Sequence, residues 1–330
     1  MRYGLGAALT WALDTVVLSM ALTCSTFFST EQAIALAAFT STFLHDACSA
    51  AYMFVYMAVR GKLRRTWAVL RSRTGLFIVL AAVIGAPIGM TGYMTAINNI
   101  GASYTAAISA FFPAFGALLS HLFLKERMKG YQWVGLMACL VGVAALGWTP
   151  AENIPGDWFL GVAGALVCVV GWGTEAVIIA YGLRDESVDD ENALQIRQTT
   201  SALSYALVIL PLLGGWAPAA HAFASDAMPI IAVAALLGTV SYLCYYKAIA
   251  RIGAAKSMAL NITYSAWAIP FSLLLLGIMP DARGVVCAIV IIVGAITAST
   301  DFKELFSRGK AAEEEGPLKE TPAATNPANL

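Results

Sequence analysis

Ten stretches of mostly apolar residues run through this chain, and each is long enough to cross a lipid bilayer as an α-helix. They lie near residues 4–22, 34–59, 76–97, 102–123, 131–148, 157–181, 191–213, 228–248, 256–277 and 283–302. A helix that crosses the hydrocarbon core needs about 20 such residues. Only 12% of the residues are charged, whereas soluble domains carry about 25%. The sequence therefore predicts an all-α polytopic membrane protein with ten transmembrane helices.

The basic residues predict how these helices are oriented. With the N-terminus inside the cell, all but two of the 20 Lys and Arg residues fall on the cytoplasmic side, the exceptions being Arg197 and Arg283. Such an asymmetry sets the orientation of a membrane protein. We therefore expect a multi-pass protein of the cytoplasmic (inner) membrane with both termini in the cytoplasm. Residues 303–330 are polar and are expected to form a disordered cytoplasmic tail.

Short motifs recur between the two halves of the chain. Ile100-Gly101-Ala102 returns as Ile252-Gly253-Ala254, and Trp11 with Asp14 returns as Trp172 with Glu175. We interpret these matches as two five-helix repeats, residues 1–149 and 150–302. An odd number of helices per repeat inverts the second repeat relative to the first, an arrangement that supports alternating access to a site near the midplane. The alternative is chance similarity between strings rich in Gly and Ala.

A small set of polar side chains falls inside the apolar stretches. The set comprises Asp14, His45, Asp46, Glu175, Arg197, Gln198 and Asn261. Charged groups at this depth are costly and therefore indicate function. Three carboxylates against one arginine leave an excess of negative charge, which favours a cationic substrate, a proton, or both. The alternative is that Arg197 pairs with Asp46 or Glu175 and only locks helices together, or that it extends toward the cytoplasmic face.

Aromatic residues near the middle of the stretches form a second set of candidates. Trp11, Trp172, Tyr242, Tyr245 and Tyr264 are expected to line the pocket. A cation over such a ring gains about 0.5–2 kcal/mol. The alternative for aromatic residues is the belt at the membrane interface, and this interpretation suits Tyr246, which adjoins Lys247. A proline in residues 85–90, Pro87, is expected to interrupt the third helix.

Several classes of function lack their sequence motifs. The sequence has no phosphate-binding Gly-rich loop, no Gly-x-Ser-x-Gly elbow and no His-Glu-x-x-His helix. We therefore expect no enzyme activity, no metal and no cofactor. A net charge of zero argues against a nucleic-acid partner. An intramembrane enzyme or a sensor is a remote alternative, since the sequence offers neither a nucleophile–base pair nor a sizeable soluble output domain.

The arrangement and several motifs together resemble a known family. The layout of five plus five helices, with Leu124-Lys125-Glu126-Arg127 after the fourth, resembles the EamA type of the drug/metabolite transporter (DMT) superfamily. Further motifs are similar to the LicB-type choline permeases of that superfamily: His45-Asp46, Trp172-Gly173-x-Glu175, Ile196-Arg197-Gln198, Ser241-Tyr242-Leu243-x-Tyr245-Tyr246 and Leu260-Asn261-x-x-Tyr264-x-x-Trp267. These motifs span roughly residues 10–275.

The resemblance implies a secondary active transporter that imports choline, or a related small ammonium compound, together with protons. The substrate site is expected to contain Trp11, Asp14, His45, Asp46, Trp172, Glu175, Gln198, Tyr242, Tyr245, Asn261 and Tyr264. Proton coupling is expected at Glu175, Asp46 and His45. Asp14 is included in the site because of its depth in the first apolar stretch and its match to Glu175 in the repeat, and not because of a family motif. The alternative within the same superfamily is an exporter of amino acids, nucleosides or drugs.

Overall fold

A computed structural model describes residues 1–148 and 156–301, and these residues form helices and short connections without a strand. Each of the ten apolar stretches coincides with a helical segment. In chain order these are α1 (Arg2–Leu22), α2 (Glu31–Val59), α3 (Arg73–Gly101), α4 (Tyr104–Leu124), α5 (Gly130–Gly147), α6 (Trp158–Gly182), α7 (Asp190–Leu213), α8 (Ala227–Ile252), α9 (Ala254–Leu276) and α10 (Ala282–Ser299). The all-α membrane fold is confirmed.

The sequence predicts ten membrane-crossing helices. Within the described residues, nine of these helices are long and apolar enough to cross a membrane. The helix outside that group is α2, which has 29 residues but carries His45 and Asp46 among neighbouring Ser and Thr side chains. The polar residues of α2 lower its mean hydropathy, and ten spans remain a prediction. Residues 303–330, the expected tail, lie outside the described residues.

The first helix of each half packs against the third helix of the other half. α1 of the first half packs along α8 of the second, and α6 of the second half packs along α3 of the first. At the second of these contacts, Gly92 and Gly164 bring two backbones together, because a Cβ on either would lie 2.6 Å from the carbonyl oxygen of the other. Gly135 of α5 and Gly294 of α10 make a similar contact, at 2.7 Å. Small residues permit this close helix packing in membranes.

The recurring Ile-Gly-Ala motif marks the same backbone turn in both halves. Gly101 separates α3 from α4 with φ 77° and ψ 166°, and Gly253 separates α8 from α9 with φ 85° and ψ 166°. Only glycine adopts this region of φ and ψ readily, since it has no Cβ. The two motifs therefore share a backbone conformation as well as a sequence.

The third helix is interrupted where Pro87 predicts it. Ile84–Ile88 form a π-helical turn within α3, because proline has no backbone N–H for the α-helical ladder. A second π-helical turn, Tyr205–Ile209, interrupts α7. The two turns are in contact, since the Tyr205 hydroxyl donates a hydrogen bond to the carbonyl oxygen of Ala86 at 3.4 Å. Such turns often occur at functional sites.

One end of the helix bundle, here called the Met1 end, carries a cluster of charged side chains that connects the two halves. Lys62, which follows α2, donates hydrogen bonds to Asp189 at 3.1 Å and to Glu191 at the start of α7. The bond to Glu191 holds the pKa of Lys62 above its usual value of 10.5. Arg65, on the short helix Leu63–Leu70, lies 3.7 Å from Asp189. These contacts tie the first half of the chain to the second at this end.

Candidate functional site

A cavity of about 410 Å³ lies between the two halves. Ten of the eleven residues expected to bind substrate lie on its wall: Trp11, Asp14, His45, Asp46, Trp172, Glu175, Tyr242, Tyr245, Asn261 and Tyr264. The remaining residue, Gln198, is fully buried behind the wall. A cavity of this size suits a small molecule.

The two carboxylates of the repeated motif each lie against a glycine of the other half. A Cβ on Gly85 of α3 would come within 1.8 Å of Glu175 Oε2, and a Cβ on Gly238 of α8 would come within 2.9 Å of Asp14 Oδ2. Any larger residue at these positions would displace the carboxylate. Asp14 and Glu175 therefore correspond in packing as well as in sequence. Each lies on the first helix of its own half and contacts the third helix of the opposite half.

Arg197 is buried and paired inside the cavity wall. Its Nε donates a hydrogen bond to Glu175 Oε1 at 2.8 Å, and its Nη1 lies 3.8 Å from Asp46 Oδ2. The guanidinium carbon lies 4.6 Å from the centre of the Tyr242 ring. The structure therefore contains the pairing of Arg197 with Glu175 and Asp46 that was considered from the sequence. The other alternative, that Arg197 extends to the cytoplasmic face, is wrong, because its side chain is only 5% exposed.

Gln198 positions Arg197. The Gln198 Oε1 accepts a hydrogen bond from Arg197 Nη1 at 2.7 Å. The amide nitrogen of Gln198 in turn donates to Ser49 Oγ at 2.7 Å, and Ser49 bonds to Thr239 at 2.6 Å. This chain joins α7, α2 and α8, so the position of the guanidinium is fixed by both halves of the protein.

His45 links two carboxylates. Its Nε2 lies 3.2 Å from Asp14 Oδ1, and its Nδ1 lies 3.3 Å from Asp46 Oδ1. Ser201 donates a short hydrogen bond to the other oxygen of Asp46. A neutral imidazole carries one N–H and an imidazolium carries two, so both contacts are hydrogen bonds to ionised carboxylates only when His45 is protonated. The arrangement can hold one proton among three groups.

The same residues do not converge as metal ligands. The imidazole separates the two carboxylates, since each ring nitrogen faces a different one. Across residues 1–148 and 156–301, no group of three or more His, Cys, Asp or Glu side chains could hold a metal ion.

Two clusters of aromatic rings contain residues of the cavity wall. Trp11 meets Tyr242 edge-on, with ring centres 5.1 Å apart, and lies 6.4 Å from Tyr264. Trp172 lies 5.6 Å from Phe112 and 5.5 Å from Tyr93. One cluster thus surrounds the tryptophan of each repeat, and Gly89 makes room for Trp172, since a Cβ there would lie 3.1 Å from the indole.

Three further aromatic residues line the cavity beyond those expected. Tyr246 is only 2% exposed, so the interpretation that it belongs to an interfacial belt is wrong. Phe112 and Tyr205 were not singled out from the sequence. The sequence spacing could have identified Tyr205 as a cavity residue. It lies eight residues after Arg197 and four after Ser201, so the three share one face of α7.

The cavity extends along α1 away from the Met1 end. The α1 residues on its wall run from Trp11 to Leu22, the last residue of the helix. In the opposite direction no α1 residue before Trp11 lines the cavity, so the cavity is closed toward the Met1 end, where Lys62 pairs with Asp189 and Glu191. The described structure therefore has a deep cavity that reaches the far end of the bundle.

Comparisons with known proteins agree with this architecture. The sequence profile of the EamA-like transporter family matches residues 2–148 and 159–300. LicB of Haemophilus influenzae is 32% identical over 200 residues, which are 59% of this chain and 65% of LicB, so the match spans less than two thirds of that relative. A protein of Clostridium kluyveri named as an uncharacterized transporter is 24% identical over 226 residues, 67% of this chain and 70% of its own.

A solved crystal structure of another protein has the same fold. It superposes with a TM-score of 0.67 at 17% identity and covers 93% of this chain and 98% of the other. The matched profile, in two segments, confirms the two-repeat fold and the resemblance noted from the motifs. The chain belongs to the EamA-like transporter family and is a multi-pass membrane transporter.

Proposed function

We propose that this transporter imports choline, or a related small ammonium compound, by alternating access and together with protons. The observation that carries the proposal is the position of Arg197. Its cationic group lies inside the cavity, bonded to Glu175 and placed over the face of Tyr242. A carboxylate beside an aromatic face is an environment that suits a cation, so a substrate ammonium that binds there competes with Arg197 for Glu175.

The charge balance of the wall also favours a cation. Asp14, Asp46 and Glu175 are opposed by Arg197 and, when protonated, by His45, so at least one negative charge remains. The rings of Trp11, Trp172 and Tyr242 line the cavity from both halves. Each good cation–π contact contributes about 0.5–2 kcal/mol. Choline is the substrate suggested by the motifs shared with the LicB-type permeases, and the identity to LicB supports it.

Proton coupling is proposed at the group formed by Asp14, His45 and Asp46. Asp46 contacts both His45 and Arg197. A proton gained or lost at this group changes the charge that faces Arg197, and through it the hold of Arg197 on Glu175. Substrate binding and protonation then belong to one electrostatic network, which is the physical requirement for coupling.

The open end of the cavity supports the proposed import. The cavity reaches the end opposite Met1. With both termini in the cytoplasm, as the distribution of Lys and Arg favours, this opening faces the exterior and admits substrate for import. Release inward requires the contacts of Lys62 with Asp189 and Glu191 to break.

Uptake by proteoliposomes tests the proposal. Purified protein is reconstituted, and entry of radiolabelled choline is measured with and without an inward proton gradient. We expect saturable uptake that the gradient stimulates, and its loss in Glu175→Gln. Asp226→Asn removes an exposed carboxylate outside the cavity and is expected to transport normally. No saturable uptake by the wild-type protein, or efflux of amino acids or nucleosides from loaded vesicles in its place, would contradict import of choline and favour the exporter alternative.

A further inference from the structure

A short helix joins α2 to α3 at the Met1 end, and none of its residues lines the central cavity. It spans Leu63–Leu70 and is called the connecting helix below. The segment that contains it, residues 60–73, includes six Lys and Arg residues and no Asp or Glu. Because the connecting helix leads into α3, which is long and apolar enough to cross a membrane, it lies near the lipid headgroups.

One face of the connecting helix is fixed to the second half of the protein. Thr66 and Val69 are buried, and the Thr66 hydroxyl donates a hydrogen bond to Asn192 Oδ1 at 2.7 Å. The guanidinium of Arg65 donates to the carbonyl oxygen of Ser187 at 3.1 Å. These contacts fix the orientation of the helix, so its other face is turned away from the protein.

The outward face of the connecting helix carries two arginines and a tryptophan. Arg64, Trp67 and Arg71 follow one another at spacings of three and four residues, so they share one face. All three are exposed, and Trp67 is 54% exposed. The guanidinium carbon of Arg71 lies 4.7 Å from the centre of the Trp67 ring. The ring therefore holds one of the two cationic groups close to the face of the helix.

Neither arginine of this face is neutralised by a carboxylate. In the part of the chain that the structure describes, the side chains of Arg64 and Arg71 form no ion pair, whereas Lys62 and Arg65 of the same segment both contact Asp189. The basic residues of the segment thus divide into an inner pair that connects the two halves and an outer pair that is free. The outward face therefore carries two uncompensated positive charges.

Exposed apolar side chains adjoin the connecting helix on both sides. Val59, at the end of α2, is 83% exposed, and Leu76 and Phe77, in the first turns of α3, are 64% and 44% exposed. On the outside of a membrane protein such side chains contact the acyl chains of lipids. A lipid that lies against them places its headgroup beside the connecting helix.

We propose that the outward face of the connecting helix binds the headgroup phosphate of an anionic phospholipid. A guanidinium suits phosphate, because its planar set of N–H donors forms paired hydrogen bonds with phosphate oxygens. The Trp67 ring suits the boundary between headgroups and acyl chains, where tryptophan is enriched. Two uncompensated arginines favour a headgroup of net negative charge over a zwitterionic one. This surface is separate from the substrate cavity, and the proposal does not depend on which substrate is transported.

Lipid binding to the purified full-length protein tests the proposal. Native mass spectrometry measures the affinity for dioleoylphosphatidylglycerol, which is anionic, and for dioleoylphosphatidylethanolamine, which has the same acyl chains and a phosphate but no net charge. We expect the wild-type protein to prefer the anionic lipid. The double variant Arg64→Gln, Arg71→Gln should bind the anionic lipid about 25-fold more weakly, about five-fold for each arginine, with little change for the zwitterionic lipid.

Fluorescence quenching locates the bound lipid. Bromine atoms on the acyl chains quench the fluorescence of a nearby tryptophan, so the difference in quenching between the wild-type protein and Trp67→Phe is the contribution of Trp67. Brominated phosphatidylglycerol should produce this contribution at concentrations that saturate the wild-type protein. The contribution should disappear in the double arginine variant at the same concentrations.

Arg127→Gln is the matched control, because it removes another exposed arginine from the connection between α4 and α5 at the same end of the bundle. It should weaken binding of the anionic lipid less than two-fold. Without lipid, the unfolding temperature should stay the same in every variant, since the substituted side chains are exposed. Equal affinity of the wild-type protein for the two lipids would overturn the proposal, as would equal losses in Arg127→Gln and in the double variant.

Discussion

Replacing Glu175 by glutamine is expected to destabilise the protein by about 2–3 kcal/mol, because the change leaves the buried charge of Arg197 without its nearest partner. The two groups are 2.8 Å apart, and their side chains are only 5% and 12% exposed. Removing one member of such a buried pair costs about 3–5 kcal/mol. Asp46, at 3.8 Å from the guanidinium, retains part of the attraction, which places the expected loss at the lower end of this range or below it.

A double-mutant cycle isolates the pairwise interaction. Arg197→Gln alone should also be destabilising, and the double variant with Glu175→Gln should be more stable than the sum of the two losses predicts. We expect a coupling free energy of about 2 kcal/mol, measured by unfolding in mixed micelles with increasing SDS. The pair of Lys247 and Asp190, at 3.8 Å and with side chains 34% and 21% exposed, provides a control whose coupling should stay below about 1 kcal/mol. Additive losses at Glu175 and Arg197 would refute the view that the two form a buried ion pair.

Two further perturbations test the carboxylate packing and the closed end. Gly238→Ala places a Cβ 2.8 Å from His45 Nε2 and 2.9 Å from Asp14 Oδ2. It should therefore separate these two groups and abolish the stimulation of uptake by a proton gradient. Stimulation equal to that of the wild type would show that this contact is not part of coupling. Lys62→Met removes the cation that ties α2 to α7 and should weaken the closure by about 1 kcal/mol, since the group is partly exposed. The alkylation rate of a cysteine introduced at Ile179, on the cavity wall, should then rise roughly five-fold from the Met1 side, and an unchanged rate would contradict the closing role.

The sequence was most informative where one residue type determines the local structure. Apolar length located all ten helices, and Pro87 located the interruption of α3. The two Ile-Gly-Ala motifs marked equivalent turns, because their positive φ requires glycine. The depth of the polar residues likewise identified the Asp, Glu, His and Arg side chains of the cavity wall.

Contacts between helices could not be predicted in the same way. Helical spacing shows which residues share a face, but it does not show what lies opposite that face. Gly85 and Gly238 looked like ordinary small residues, and only the folded chain places them against Glu175 and Asp14. Tyr246 resembled an interfacial residue because a lysine follows it, yet α8 turns its ring toward the cavity.

The location of a bound ammonium compound tests the central claim most directly. The protein is crystallised with arsenocholine, in which arsenic replaces the ammonium nitrogen, and the arsenic is located by its anomalous scattering. We predict one peak inside the cavity, beside the carboxylate of Glu175 and within about 6 Å of the ring centres of Trp11, Trp172 or Tyr242. A peak outside the cavity, or none at a ligand concentration that saturates transport, would contradict the account.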